Sequence, residues 1–161
     1  MLRNWRVGLY DFPNQPERSI AKAPSNIATG DLFSVVGGPI LVAQLVGLVT
    51  TVVETQACTL KVLVDPTTGA GTTDVCANHA NISADAAGTL YYVTGDFSDT
   101  LQEMDPASNG AVEAPTTYDL NGPWLCAPGT IELSASDTNT GVIRWSMLYK
   151  ALDPNVRVYV A

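Results

Sequence analysis

Few residues in this chain are capable of chemistry, and their spacing limits what they can do. The 161-residue sequence holds one histidine, His79, and three cysteines, Cys58, Cys76 and Cys126. A Ser-His-Asp or Cys-His site would need that imidazole beside an activated nucleophile. His79 lies instead in the stretch Asn78-His79-Ala80-Asn81, with no nucleophile-elbow sequence around it. Cys76-Ala77-Asn78-His79 has the outline of half a metal site, but no second ligand pair follows at zinc spacing. Asp96, Asp99, Glu103 and Asp105 form a local acidic cluster. A calcium loop needs a fixed ligand order and a glycine at its turn, which this cluster lacks. Gly37-Gly38-Pro39 leads into an aliphatic run, not into a helix whose N-terminus would cradle a phosphate. The expectation is a protein that is not an enzyme, with no catalytic residues, no metal ligands and no cofactor.

The cysteines allow one structural reading. If Asp65–Asp74 closes a hairpin centred near Thr67, Cys58 and Cys76 lie symmetrically about the turn on adjacent strands. That places them within reach of a disulfide. Buried free thiols, usual after cytosolic synthesis, are the other reading, and the spacing leaves both open. Cys126 is then the odd one.

The element that organises the chain is the run Ile40–Glu54, ILVAQLVGLVTTVVE. Its β-branched residues favour a pleat over a helix, and Gly47 in mid-run predicts a bend or bulge. Gln44 and Glu54 bound it too tightly for a membrane span. Cys58, Leu60, Val62 and Val64 alternate on one face of a following strand, and Asp74–Ala77 is its returning partner. Thr89–Thr94 reads as another strand. Ala77–Gly88 and Asp99–Asn109 read as loops, each with room for a short helical turn. Ile131, Leu133 and Ala135 alternate inward, a loop over Asp137–Gly141 follows, and Ile143, Trp145, Met147 and Tyr149 return on one face. Arg144, Ser146 and Lys150 are expected to face out, and Val156–Val160 is a last short strand. Eight or nine strands with 13 Gly and 10 Pro suit an all-β fold: an antiparallel β-sandwich, jelly-roll-like or a small barrel.

Charge divides the chain. Residues 1–22 carry four basic and two acidic residues, net +2, whereas residues 23–161 carry four basic against fourteen acidic, net -10. The division expected is an extended N-terminal arm over residues 1–28 and a sandwich body over 29–161. The acidic body argues against nucleic-acid binding. No signal peptide or membrane-spanning run is visible, so a soluble protein is expected. Arg3, Trp5, Arg6, Tyr10, Phe12 and Arg18 are the candidate partner contacts of the arm. Aromatic anchors and Arg–carboxylate pairs dock such segments, either on the chain's own body or on a neighbour.

The stretches GDLFSVVGGPILVAQLVGLVTT, QACTLKVLVDPTTG, DVCA, SADAAGTLYYVTGD and APGTIELSASDTNTGVIRWSMLY, between about Ile27 and Leu152, resemble small virion proteins of tailed bacteriophages. The likeness is to capsid decoration, or cement, proteins. It implies a β-rich structural protein without activity, often trimeric, made in the host cytoplasm. Such a protein binds the major capsid protein on the outside of the assembled shell. A tail or head-fibre component is the other reading, with Tyr91, Tyr92 and Trp124 as a sugar platform unless they pack in the core.

Overall fold

The computed structural model describes residues 16–69, 71–79, 81–106 and 123–161. They form twelve strands: β1 (Glu17–Ala21), β2 (Ser25–Ile27), β3 (Gly30–Val36), β4 (Ile40–Thr51), β5 (Leu60–Pro66), β6 (Thr73–Asp74), β7 (Leu90–Tyr92), β8 (Gln102–Met104), β9 (Trp124–Cys126), β10 (Gly129–Ala135), β11 (Asn139–Ala151) and β12 (Arg157–Val160). Among the described residues no helix is long and apolar enough to cross a membrane.

The strands make two antiparallel sheets, as the all-β expectation required. The large sheet runs β1-β11-β4-β7-β8, with β2 beside β1 on β11 and β9 beside β7 on β4. The small sheet runs β12-β3-β10-β5-β6. Strands late in the chain insert between early ones, so β10 lies between β3 and β5, and β11 between β1 and β4. Phe33, Ile131, Leu133 and Val62 of the small sheet and Leu45, Val49, Trp145 and Met147 of the large one belong to a single buried core.

The Gly37-Gly38-Pro39 break carries the chain from β3 to β4 at the point where β11 turns into β12. Gly37 has φ +82°, and a Cβ there would lie 2.4 Å from Asn155 O. Gly47 serves a different purpose from the predicted bulge. A Cβ on it would meet Ile143 Cγ2 at 2.9 Å and the Trp145 ring at 3.0 Å, so its bare backbone is the floor on which the indole lies. The bulges of β4 fall elsewhere. Its register with β11 skips Thr50 and Ala43. Asn139 ties the two strands at one end. Its buried Oδ1 accepts from Glu54 N at 3.0 Å and Gly141 N at 2.9 Å.

Four expectations need correction. The arm does not extend to residue 28, because β1 pairs with Tyr149 and its neighbours and β2 pairs with Ile143, which makes residues 17–27 part of the large sheet. The described part of the Asp99–Asn109 loop contains β8, since Gln102–Met104 pairs with β7, while residues 107–109 lie outside the described residues, and Ser83–Ala87 forms turns and irregular backbone only. Lys150 is buried and not outward-exposed, flanked in register by Glu17 and Leu41. Strands are more numerous than the turn count suggested, because the edges are made of pieces two to five residues long. Of the two readings left open for the cysteines, Cys58 and Cys76 are here separate buried thiols. The β5–β6 register pairs Leu63 with Asp74, but Leu60 then meets His79, so the return strand slips by two residues. Cys76 therefore lies against Val62, while Cys58 faces Asn81 and Ile82.

Candidate interaction surface

The sandwich presents two outer faces, and they differ in kind. In the large sheet, the positions facing away from the core follow from the parity of buried Leu45, Gly47 and Val49. They are Val46 and Leu48 on β4, Leu90 and Tyr92 on β7, and Ser146 and Arg144 on β11. The register sets them in rows. Ala21, Ser146, Val46, Tyr92 and Gln102 form one, and Arg144, Leu48, Leu90 and Met104 the next. Val46, Leu48, Leu90, Tyr92, Met104 and Leu148 are all half-buried. Leu125 of β9 lies beside Leu41 on the same face and is 67% exposed. The result is a surface rich in apolar side chains, with Arg144 exposed on one row and Glu17 exposed on another, beside Lys150 and Leu41.

The small sheet shows the opposite. Its outward rows are Tyr159, Ser34, Thr130 and Asp65, then Asp31, Glu132, Leu63 and Asp74. Lys61 pairs with Asp74 at 2.8 Å. Burial first, then Asp31 and Asp65, raises the Glu132 carboxyl above its ordinary value. This face is dominated by carboxylates, with Tyr159 and Val36 exposed at its β12 edge.

Of the candidate contacts read from sequence, Arg3, Trp5, Arg6, Tyr10 and Phe12 lie outside the described residues. Arg18 is on β1 opposite Tyr149, so its half-buried side chain is on the inner face at the sheet edge. Tyr91 and Trp124 are buried and only Tyr92 reaches the outer face, so the three do not form one platform. Trp124 packs edge-on against Phe97 at 6.1 Å. The thiols are deep. Burial pushes Cys126 up to about 12 and also raises Cys76, which keeps both protonated and unreactive at neutral pH. Among the described residues no group of three or more His, Cys, Asp or Glu is placed to hold a metal ion.

What sequence reasoning missed is the outer face itself. The signal was present. A strand covered on one side alternates, whereas one covered on both sides reads as a continuous apolar run, and β4 is such a run.

No protein-family model and no curated protein matches the sequence. Among solved structures, the chain is similar to one in "Structure of infectious bursal disease virus Gx strain", at 10% identity and a TM-score of 0.23. The alignment covers 89% of this chain and spans about a third of the other, 35%. A likeness that distant carries no argument about function.

Proposed function

We propose that the chain is a structural virion protein of the capsid-decoration type, which clamps neighbouring copies of a major capsid protein from outside the shell. The observation that carries this reading is the contrast between the two outer faces. A largely apolar face with few charges suits a protein surface, and an acidic face opposite it suits water. Homo-oligomers, trimers by the sequence resemblance, would present several such faces at once, and linked weak contacts add strongly. Arg3, Trp5, Arg6, Tyr10 and Phe12 supply further contacts in this reading, and neither nucleic acid nor membrane is a partner.

Purified chain mixed with assembled shells tests it. Binding should stabilise the shells against heat, and Leu48→Lys should weaken that binding by roughly 30-fold or more, the effect of losing a central interface anchor of about 2 kcal/mol. The variant should remain folded. Shells that neither bind the chain nor gain stability overturn the reading. Particles lacking the chain that stay stable but fail to adsorb to cells would point to the fibre role instead.

A further inference from the structure

The two sides of the sandwich are closed differently. On one side β1 approaches β12, and Lys22 Nζ donates to Ala161 O. On the other, the chain from Val75 to His79 runs as a seam between the sheets. His79 N donates to Leu60 O at 2.7 Å, which ties the seam to β5 of the small sheet. Ala77 N donates to Asp99 O at 2.7 Å and Leu101 N to Ala77 O at 3.0 Å, which ties it to the residues entering β8 of the large sheet. The His79 side chain stands at this crossing, 16% exposed. Its Nδ1 lies 3.0 Å from Leu101 O, and its Nε2 lies 3.2 Å from Glu103 Oε2. A neutral imidazole has one N–H and one lone pair. A neutral ring therefore has one N–H for two acceptors, Leu101 O and the ionised Glu103, and sets its lone pair against one of them. Satisfying both contacts takes a second proton, on the ring or on the carboxyl.

We propose that this second proton is a latch that holds β8 to the seam, and that its loss as pH rises loosens the β7–β8 edge of the large sheet. The surrounding charges act together. Tyr91 of β7 meets the His79 ring edge-on at 5.7 Å and donates its hydroxyl to Asp85 in the loop before β7. Asp85 and Asp105 both bear on Glu103, and Cys58, ahead of β5, bears on Tyr91. Lys61 of β5 is held by Asp74 of β6 at 2.8 Å. Burial first, then Asp85, raises the Glu103 carboxyl above its ordinary value, with His79 drawing it back. A carboxyl raised in the folded state contributes stability present below its unfolded value and lost as pH rises through the folded one. Without the second proton a ring lone pair faces either Leu101 O or Glu103, and β8, which among the described strands pairs with β7 alone, is the element that yields. The latch is independent of what the outer face binds.

Amide hydrogen exchange on the full chain, from about pH 5 to about pH 9 and corrected for intrinsic rates, reads the latch directly. Protection at Gln102–Met104 should fall roughly tenfold relative to β4 and β11 as pH rises. His79→Gln places an amide donor against Glu103 at every pH, and Glu103→Gln places one against Nε2, so each should flatten that profile. If one variant fails to fold, the other decides. Protection of β8 that tracks β4 and β11 overturns the latch, and so does a pH profile unchanged in the folded glutamine variants.

Discussion

The two outer faces of this sandwich arise from two different sequence patterns. β10, at the centre of the small sheet, alternates strictly, with Ile131 and Leu133 inside and Thr130, Glu132 and Ser134 outside. β4, at the centre of the large sheet, has Leu45 and Val49 inside yet also Val46 and Leu48 outside. Alternation marks a face intended for water, and its absence marks a strand meant to be covered twice. On the proposed reading, the same architecture turns one side to solvent and the other to a partner without any change in backbone topology.

The largest effect belongs to the layer both faces share. Trp145 is 1% exposed and lies on the Gly47 backbone between the sheets. Trp145→Ala should cost about 3 to 5 kcal/mol, because a well-packed core does not collapse to fill so large a cavity. Denaturant unfolding measures it, and both faces should lose order in one transition. A cost below about 1 kcal/mol would mean that the two faces do not rest on this support.

A matched pair of lysines separates the faces themselves. Leu48 and Leu63 are both half-buried leucines on outward positions of long strands. Leu63→Lys enters a row with Asp31, Glu132 and Asp74, where an ammonium finds carboxylates. Stability should stay within about 0.5 kcal/mol and shell binding should not change. Leu48→Lys has no such row and should lose shell binding. Equal losses from both would erase the distinction between a docking face and a solvent face.

How far the sequence could be read follows from how local each signal is. Ile143, Trp145, Met147 and Tyr149 alternate over a single strand, and the structure buries all four. The edge strands β1 and β2 were missed because Glu-Arg-Ser-Ile-Ala and Ser-Asn-Ile bury little, and Pro16 and Pro24 beside them read as breaks. Proline is nevertheless compatible with strand edges. His79 and Glu103 are brought together only by the seam between the sheets, so no spacing along the chain announces them. The proposed Cys58–Cys76 register assumed a symmetric hairpin, and the slip between Leu63↔Asp74 and Leu60↔His79 is not encoded in any one residue.

The smallest predicted effect tests whether the acidic face is tuned for water or only tolerates its charges. Glu132 stands on β10 opposite Asp31, with Asp65 also bearing on it, and burial is the largest cause of its raised carboxyl. Because the folded value lies above the unfolded one, protonation is favoured by folding, and this contribution to stability fades as pH rises through the raised value. The chain should therefore gain stability as pH falls from neutral toward the carboxylate range. Glu132→Gln should remove part of that gain and slightly raise the melting temperature at neutral pH. The amount is small, because the group is partly hydrated and solvent screens its neighbours. Added salt should shrink the share due to Asp31 and Asp65 but leave the burial share in place. If Glu132→Gln leaves the pH dependence of melting unchanged, these carboxylates are already fully hydrated, and the small sheet is indifferent to its own charge.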